Sequence, residues 1–151
     1  MVMTVIDASG LVLGRMASAV AQRLLKGELI EIVNAEKAVI TGNRVQILEK
    51  YFRRYHANIK ANPYKKGPKF QRHADRIVSF AVRGMLPYKR DTGKQAFKKL
   101  KVFVGNPDNA KAEALAVAKN RSAKFVLVED ISATYGVKAT GSLQKADGNG
   151  V

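Results

Sequence analysis

Thr4–Val33 reads TVIDASGLVLGRMASAVAQRLLKGELIEIV, and its order of patterns decides the fold. Thr4–Ala8 is a short apolar run, the mark of a buried strand, and Asp7-Ala8-Ser9-Gly10 ends it with turn and capping residues. From Leu13 to Lys26 the period changes. Met16, Ala17, Val20, Ala21, Leu24 and Leu25 recur at spacings of three and four, with Arg15, Ser18, Gln22 and Lys26 on the opposite face, as an amphipathic helix requires. Gly27 stops the helix, and Leu29–Val33 is a second apolar run. Strand, helix, strand within about thirty residues implies a parallel pair joined by a right-handed crossover.

Outward from this unit the alternation continues. Lys37–Thr41 fits a further short strand or a strand-to-helix connection, and Gly42-Asn43 opens a helix to about Tyr55. On it Val45, Leu48 and Phe52 share one face, Ile47, Tyr51 and Tyr55 lie beside it, and Lys50, Arg53 and Arg54 point outward. Ala57–Gln71 lacks any period and contains Asn62-Pro63 and Gly67-Pro68, so it reads as a loop that orders on binding. A third helix fits His73–Gly84, with Ile77, Val78, Ala81 and Val82 inward and Arg72, Arg76, Ser79 and Arg83 aligned. A fourth fits the stretch after Gly93 to about Leu100, with Lys94, Lys98 and Lys101 outward.

Lys101–Val104 reads as a strand and Asp108–Lys119 as an Ala-rich helix. Phe125–Val128 reads as a last strand or packed segment, and 136–151 as an extended or frayed tail. The whole reads as one α/β domain over 1–135, three-layered, with a basic insert at 44–101.

The charge is concentrated in that insert. Arg44–Lys101 holds 17 Lys/Arg against 3 Asp/Glu, a net of +14, whereas the whole 151-residue chain carries +15. A solvated surface that only confers solubility mixes both signs; this one does not. Cations so concentrated fit a polyanion, because each phosphate contact releases a condensed counterion. Apolar residues make up 46% of the chain, which separates it from a disordered basic tail. Cysteine is absent, so there are no disulfides, thiolate metal sites or cysteine nucleophiles, and two histidines alone make a structural zinc site a poor fit. No membrane-length apolar run or secretory leader pattern is evident, so a soluble, cytoplasmic location is expected.

Candidate contacts follow from charge and period. They are Lys50, Arg53, Arg54, Lys65, Lys66, Lys69, Arg72, Arg76, Arg83, Lys89, Arg90, Lys94 and Lys98, with Tyr88 as a stacking ring. Tyr64 and Tyr88 sit in loops beside Lys65-Lys66 and Lys89-Arg90 and suit nucleic-acid contact; the helical period puts Tyr51, Phe52 and Phe70 in the core instead. His56 and His73 suit either a phosphate contact or, the more ordinary reading, a solvated position. Gly84 and Gly93 suit either close approach to a phosphate or helix termination.

Enzyme signals are weak. Gly10-Leu11-Val12-Leu13-Gly14 lacks the dinucleotide-binding glycine pattern and reads as tight strand–helix packing. Thr92-Gly93-Lys94 resembles a Walker lysine, but Gln95 stands where magnesium needs a hydroxyl. No metal or cofactor is expected. The rival readings are a nucleotide- or RNA-processing enzyme, with a pocket near Asp7–Gly14, and an architectural duplex-DNA binder.

Several stretches together resemble one family. They are Val5-Ile6-Asp7-Ala8 with Gly10–Ser18 (GLVLGRMAS), Ile40-Thr41-Gly42-Asn43, Arg83–Lys89 (RGMLPYK), Thr92-Gly93-Lys94, and Leu100–Gly105 (LKVFVG). Their order and spacing from about residue 3 to 108 resemble the large-subunit ribosomal protein family thirteen, in its archaeal or eukaryotic form. The resemblance implies a four-stranded, mostly parallel sheet between helices. It implies a structural role on the large subunit, with large ribosomal RNA and neighbouring ribosomal proteins as partners, and no catalysis. By that resemblance the RNA-facing motif is Arg83–Lys94, with Arg15 near it.

Overall fold

The computed structural model describes residues 3–56, 70–107, 112–113, 115, 118–119 and 122–135. Strand β1 (Met3–Asp7), helix α1 (Leu13–Leu25) and strand β2 (Leu29–Val33) form the expected parallel unit, with Ile6 opposite Ile32. Gly27 ends α1 in a positive-φ conformation (φ 100°) that only glycine adopts without strain. Met16, Ala17, Val20, Ala21 and Leu24 are buried against the sheet side of α1; Leu25, expected inward, is half exposed because it lies past the edge of the packed stripe. Each large aliphatic side chain so buried contributes about 1.5–3 kcal/mol.

Strand β3 (Val39–Thr41) leads into α2 (Arg44–His56), and α3 (Ala74–Met85), α4 (Asp91–Lys98) and β4 (Leu100–Val102) follow. β4 pairs parallel with β2, so β2 is central in the order β1-β2-β4. The last elements are β5 (Phe125–Leu127) and α5 (Val128–Tyr135). Helix α1 packs on α3 and touches α4, and α3 also reaches β4. The core therefore sits between the parallel strands and these helices, and Ile6, Met16, Val20, Leu24, Ile30, Ile32, Val78 and Val82 are all but inaccessible.

The expected four-stranded sheet is corrected: among the described residues the parallel sheet has three strands. Asn34 takes a left-handed φ of 54° and a single 3-10 turn follows at Ala35–Lys37, which swings the chain off the line of β2. There the Val39 amide donates to the Leu11 carbonyl at 2.8 Å, and β3 pairs antiparallel with β5 instead. At the other edge of β1, among the described residues, stands Glu113, whose amide donates to the Val5 carbonyl at 2.7 Å. The Ala-rich helix expected over 108–119 falls largely outside the described residues, as does the tail 136–151.

Two helix boundaries also shift. Gly84 does not terminate α3, and Gly93 does not break the chain but lies in the first turn of α4. Helix α4 ends at Lys98, so Lys101 belongs to β4 rather than to a helical stripe with Lys94 and Lys98; it bonds Glu31 of β2 at 3.1 Å.

Candidate nucleic-acid interface

Helix α2 starts where Gly42 turns the chain at φ 135° and the Asn43 side chain accepts a hydrogen bond from the Val45 amide at 3.1 Å. None of its residues is fully buried. Ile47, Leu48 and Tyr51 form its inner side, packed on the core, whereas Val45 and Phe52 of the expected apolar face are exposed. The reason is tertiary: α5 brings the Tyr135 hydroxyl to donate to the Leu48 carbonyl at 3.0 Å, which sets the rotation of α2. Phe52 instead stacks on His56, with ring centroids 4.0 Å apart. Phe70, also expected in the core, is 42% exposed, because it lies in the segment ahead of α3 rather than in a helix.

The outward side of α2 presents Lys50, Arg53 and Arg54, all exposed. Arg53 is neutralised by Glu49 one turn earlier. The Arg54 guanidinium lies 5.7 Å from the Tyr51 ring centroid. Tyr55 donates its hydroxyl to the Gln71 carbonyl at 2.8 Å, which ties the end of α2 to the approach to α3; burial, with a smaller push from Tyr51, raises this phenol to about 12. Arg72 covers the Tyr55 ring at 5.2 Å.

On α3, Arg76 is exposed beside Asp75 at 3.7 Å, and Arg83 is half buried near the helix end. The Arg83 guanidinium lies 5.0 Å from the Phe80 centroid and 4.0 Å from that of Tyr88. Tyr88 sits in the tight turn between α3 and α4, where its amide donates to the Leu86 carbonyl and the Arg90 amide to that of Pro87. Phe97 of α4 meets the Tyr88 ring edge-on at 5.6 Å. Tyr88, expected as a stacking ring, has Arg83 over its ring and Phe97 at its edge.

Gly93 explains why this turn lies so close to α4. A Cβ there would stand 2.2 Å from the Pro87 carbonyl oxygen, so the close approach is of turn backbone rather than of a phosphate. Gly84 has open space at the same position. Lys89, Arg90, Lys94 and Lys98 are exposed around the turn and along α4, with Asp91 3.3 Å from Lys94. Arg15 is exposed on the first turn of α1. Lys65, Lys66, Lys69 and Tyr64 lie outside the described residues.

Three carboxylates lie within the insert, Glu49, Asp75 and Asp91, and each is committed to one neighbour. Among the described residues none comes within ion-pair distance of Lys50, Arg54, Arg72, Arg83, Lys89, Arg90 or Lys98. Contacts through aromatic rings link Arg54, Tyr51, Tyr55 and Arg72 at the α2 end, and Phe80, Arg83, Tyr88 and Phe97 at the α4 end. Phe80 is the member that periodicity did not single out; its signal is an aromatic residue one turn before Arg83.

The strand ends near Asp7–Gly14, where an enzyme would keep a pocket, are filled. Leu11 is 2% exposed and Leu13 9%, both within the core. Burial alone would raise the Asp7 carboxyl. Hydrogen bonds from the Asn34 side chain (2.9 Å) and from the Ser9 amide and hydroxyl, with the charge of Lys37, outweigh burial and hold it below the usual 3.8. That carboxylate closes a turn.

The family model described as ribosomal protein L13 matches residues 2–109. Similar to this chain are proteins named large ribosomal subunit protein uL13. One from Methanocaldococcus jannaschii is 46% identical, covering 90% of this chain and 99% of that protein. One from Archaeoglobus fulgidus is 42% identical over 89% of this chain and 88% of its own length. One from Methanococcus maripaludis is 43% identical over 90% and 99%.

Proposed function

Because the chain belongs to the ribosomal protein L13 family, we propose that its cationic surface on α2, α3 and α4 holds large-subunit ribosomal RNA. The protein is a structural constituent of the large ribosomal subunit, of the archaeal type, and not an enzyme. The compact α/β core orients the charges; Arg and Lys hold phosphates, and the turn at Leu86–Arg90 follows the shape of folded RNA. The residues assigned to this surface are Arg15, Lys50, Arg53, Arg54, Lys65, Lys66, Lys69, Arg72, Arg76, Arg83, Tyr88, Lys89, Arg90, Lys94 and Lys98. Of the described ones, Arg53, Arg76 and Lys94 already have a carboxylate, so each adds less than its unpaired neighbours.

The observation that carries this reading is the group of seven cations, from Lys50 to Lys98, that no carboxylate among the described residues pairs, while the insert's three acids are occupied. Neighbouring proteins of the large subunit are the further partners, and the ribosome is the site of action. Residues 1–135 are read as one domain with 136–151 as its tail. The three-layer α/β/α arrangement is part of the same reading.

The test is binding of the full chain to large-subunit ribosomal RNA at graded salt, with duplex DNA as competitor. Salt-dependent binding that folded RNA competes for better than DNA at fixed salt is expected. Equal competition by DNA would transfer the surface to the architectural duplex-binding reading.

A further inference from the structure

A crevice of about 270 Å³ opens between α1, α2 and α3. Its walls are the rings of Tyr51, Tyr55, Phe70 and Phe80, and its polar groups are Arg54 and Gln71. Phe70 and Phe80 are 42% and 36% exposed, so ring surface at the crevice is open to solvent. The volume falls below the usual range of about 300–1,000 Å³ for drug-sized ligands, so a single ring system is the fitting size. No carboxylate lines the crevice among the described residues, and three cations stand over its rings: Arg54 over Tyr51, Arg72 over Tyr55, and Arg83 over Phe80 from the side of the turn to α4.

We propose that this crevice receives one unpaired base of the bound RNA, stacked among Tyr51, Phe70 and Phe80, with its flanking phosphates on Arg54 and Arg72. Ring faces accept any base, the Gln71 amide offers both a donor and an acceptor to a base edge, and the two guanidinium groups complement the strand that a splayed base leaves behind. Tyr55 is a neutral wall whose hydroxyl is spent on the Gln71 carbonyl. An aromatic side chain of another protein would fit the apolar walls but leave the cations unmatched. This inference rests on the RNA-binding reading above.

The test compares two RNA hairpins, one with a single bulged 2-aminopurine and one fully paired, against the full-length protein. The bulged hairpin is expected to bind about tenfold more tightly, the scale of one base–aromatic contact, with its fluorescence quenched. Phe70→Ala is expected to bring the ratio of the two affinities close to one. Phe80→Leu, which keeps apolar volume but removes the ring, serves as the second variant should Phe70→Ala unfold. Salt-dependent binding to both hairpins with no preference for the bulge overturns the pocket and leaves the RNA surface standing. Absence of salt-dependent binding to either overturns both.

Discussion

The guanidinium carbon of Arg83 lies 4.0 Å from the centroid of the Tyr88 ring, across the turn that joins α3 to α4. Phe80 flanks the same group from within α3, and Phe97 braces Tyr88 from α4. A long cationic side chain, which would otherwise lose rotamer freedom on binding, is thereby ordered in advance.

Tyr88→Ala is expected to weaken RNA affinity several-fold, and Tyr88→Phe to leave it nearly unchanged, since the ring and not the hydroxyl faces Arg83. Titrations with large-subunit ribosomal RNA at one salt concentration would check this. Equal loss in both variants would assign the effect to the hydroxyl.

Arg83→Ala is expected to weaken binding and to lower the slope of log affinity against log salt by about one ion. Tyr88→Ala keeps the cation and should preserve that slope. An unchanged slope in Arg83→Ala would remove Arg83 from the phosphate contacts.

Gly93→Ala and Gly84→Ala are expected to have opposite signs. The first drives a methyl group to 2.2 Å from the Pro87 carbonyl oxygen, an overpacking cost of about 1–3 kcal/mol or more. The second adds a methyl group into open space on a helix and should stabilise by about 0.5–1 kcal/mol. Urea denaturation of both variants measures the contrast.

Asp7 predicts an acid-sensitive contribution to stability. Its carboxyl titrates below the usual 3.8 in the folded chain, despite burial, because Asn34 and Ser9 donate to the charged form. With the folded value depressed, the stabilisation is complete above the unfolded value of about 3.9 and is lost as pH falls through the folded one. Asp7→Asn should therefore be less stable than the parent near neutral pH, with the difference shrinking below about pH 4. A gap that stays constant down to pH 2 would contradict the assignment.

The β1–α1–β2 unit was legible because its signals are local: two apolar runs, an unbroken helical stripe, and Gly27 as the stop. The rotation of α2 was not. That helix carries apolar residues on two adjoining sides, and Tyr135, eighty-seven residues from Leu48, decides between them. Gly93 read as a breaker because its use, a backbone contact with Pro87, exists only once α4 folds back on the turn. The expected fourth strand of the sheet was lost for a similar reason, since a left-handed Asn34 redirects the chain after β2. Charge sufficed to predict which side chains of the proposed surface are exposed, because Lys and Arg remain at the surface whatever the packing. The pairing of Arg83 with Tyr88 was hidden by the turn between them, and Phe80 by the absence of any charge of its own.

The register of Ile30 with Leu100 has a kinetic consequence. The last parallel strand can dock only after the whole intervening stretch has been synthesised, so the nascent chain exposes its arginines and lysines before the sheet edge is covered. Closing so long a loop slows folding, yet doubling its length would add only about 0.6 kcal/mol, which leaves evolution free to lengthen the insert while the scaffold stays the same.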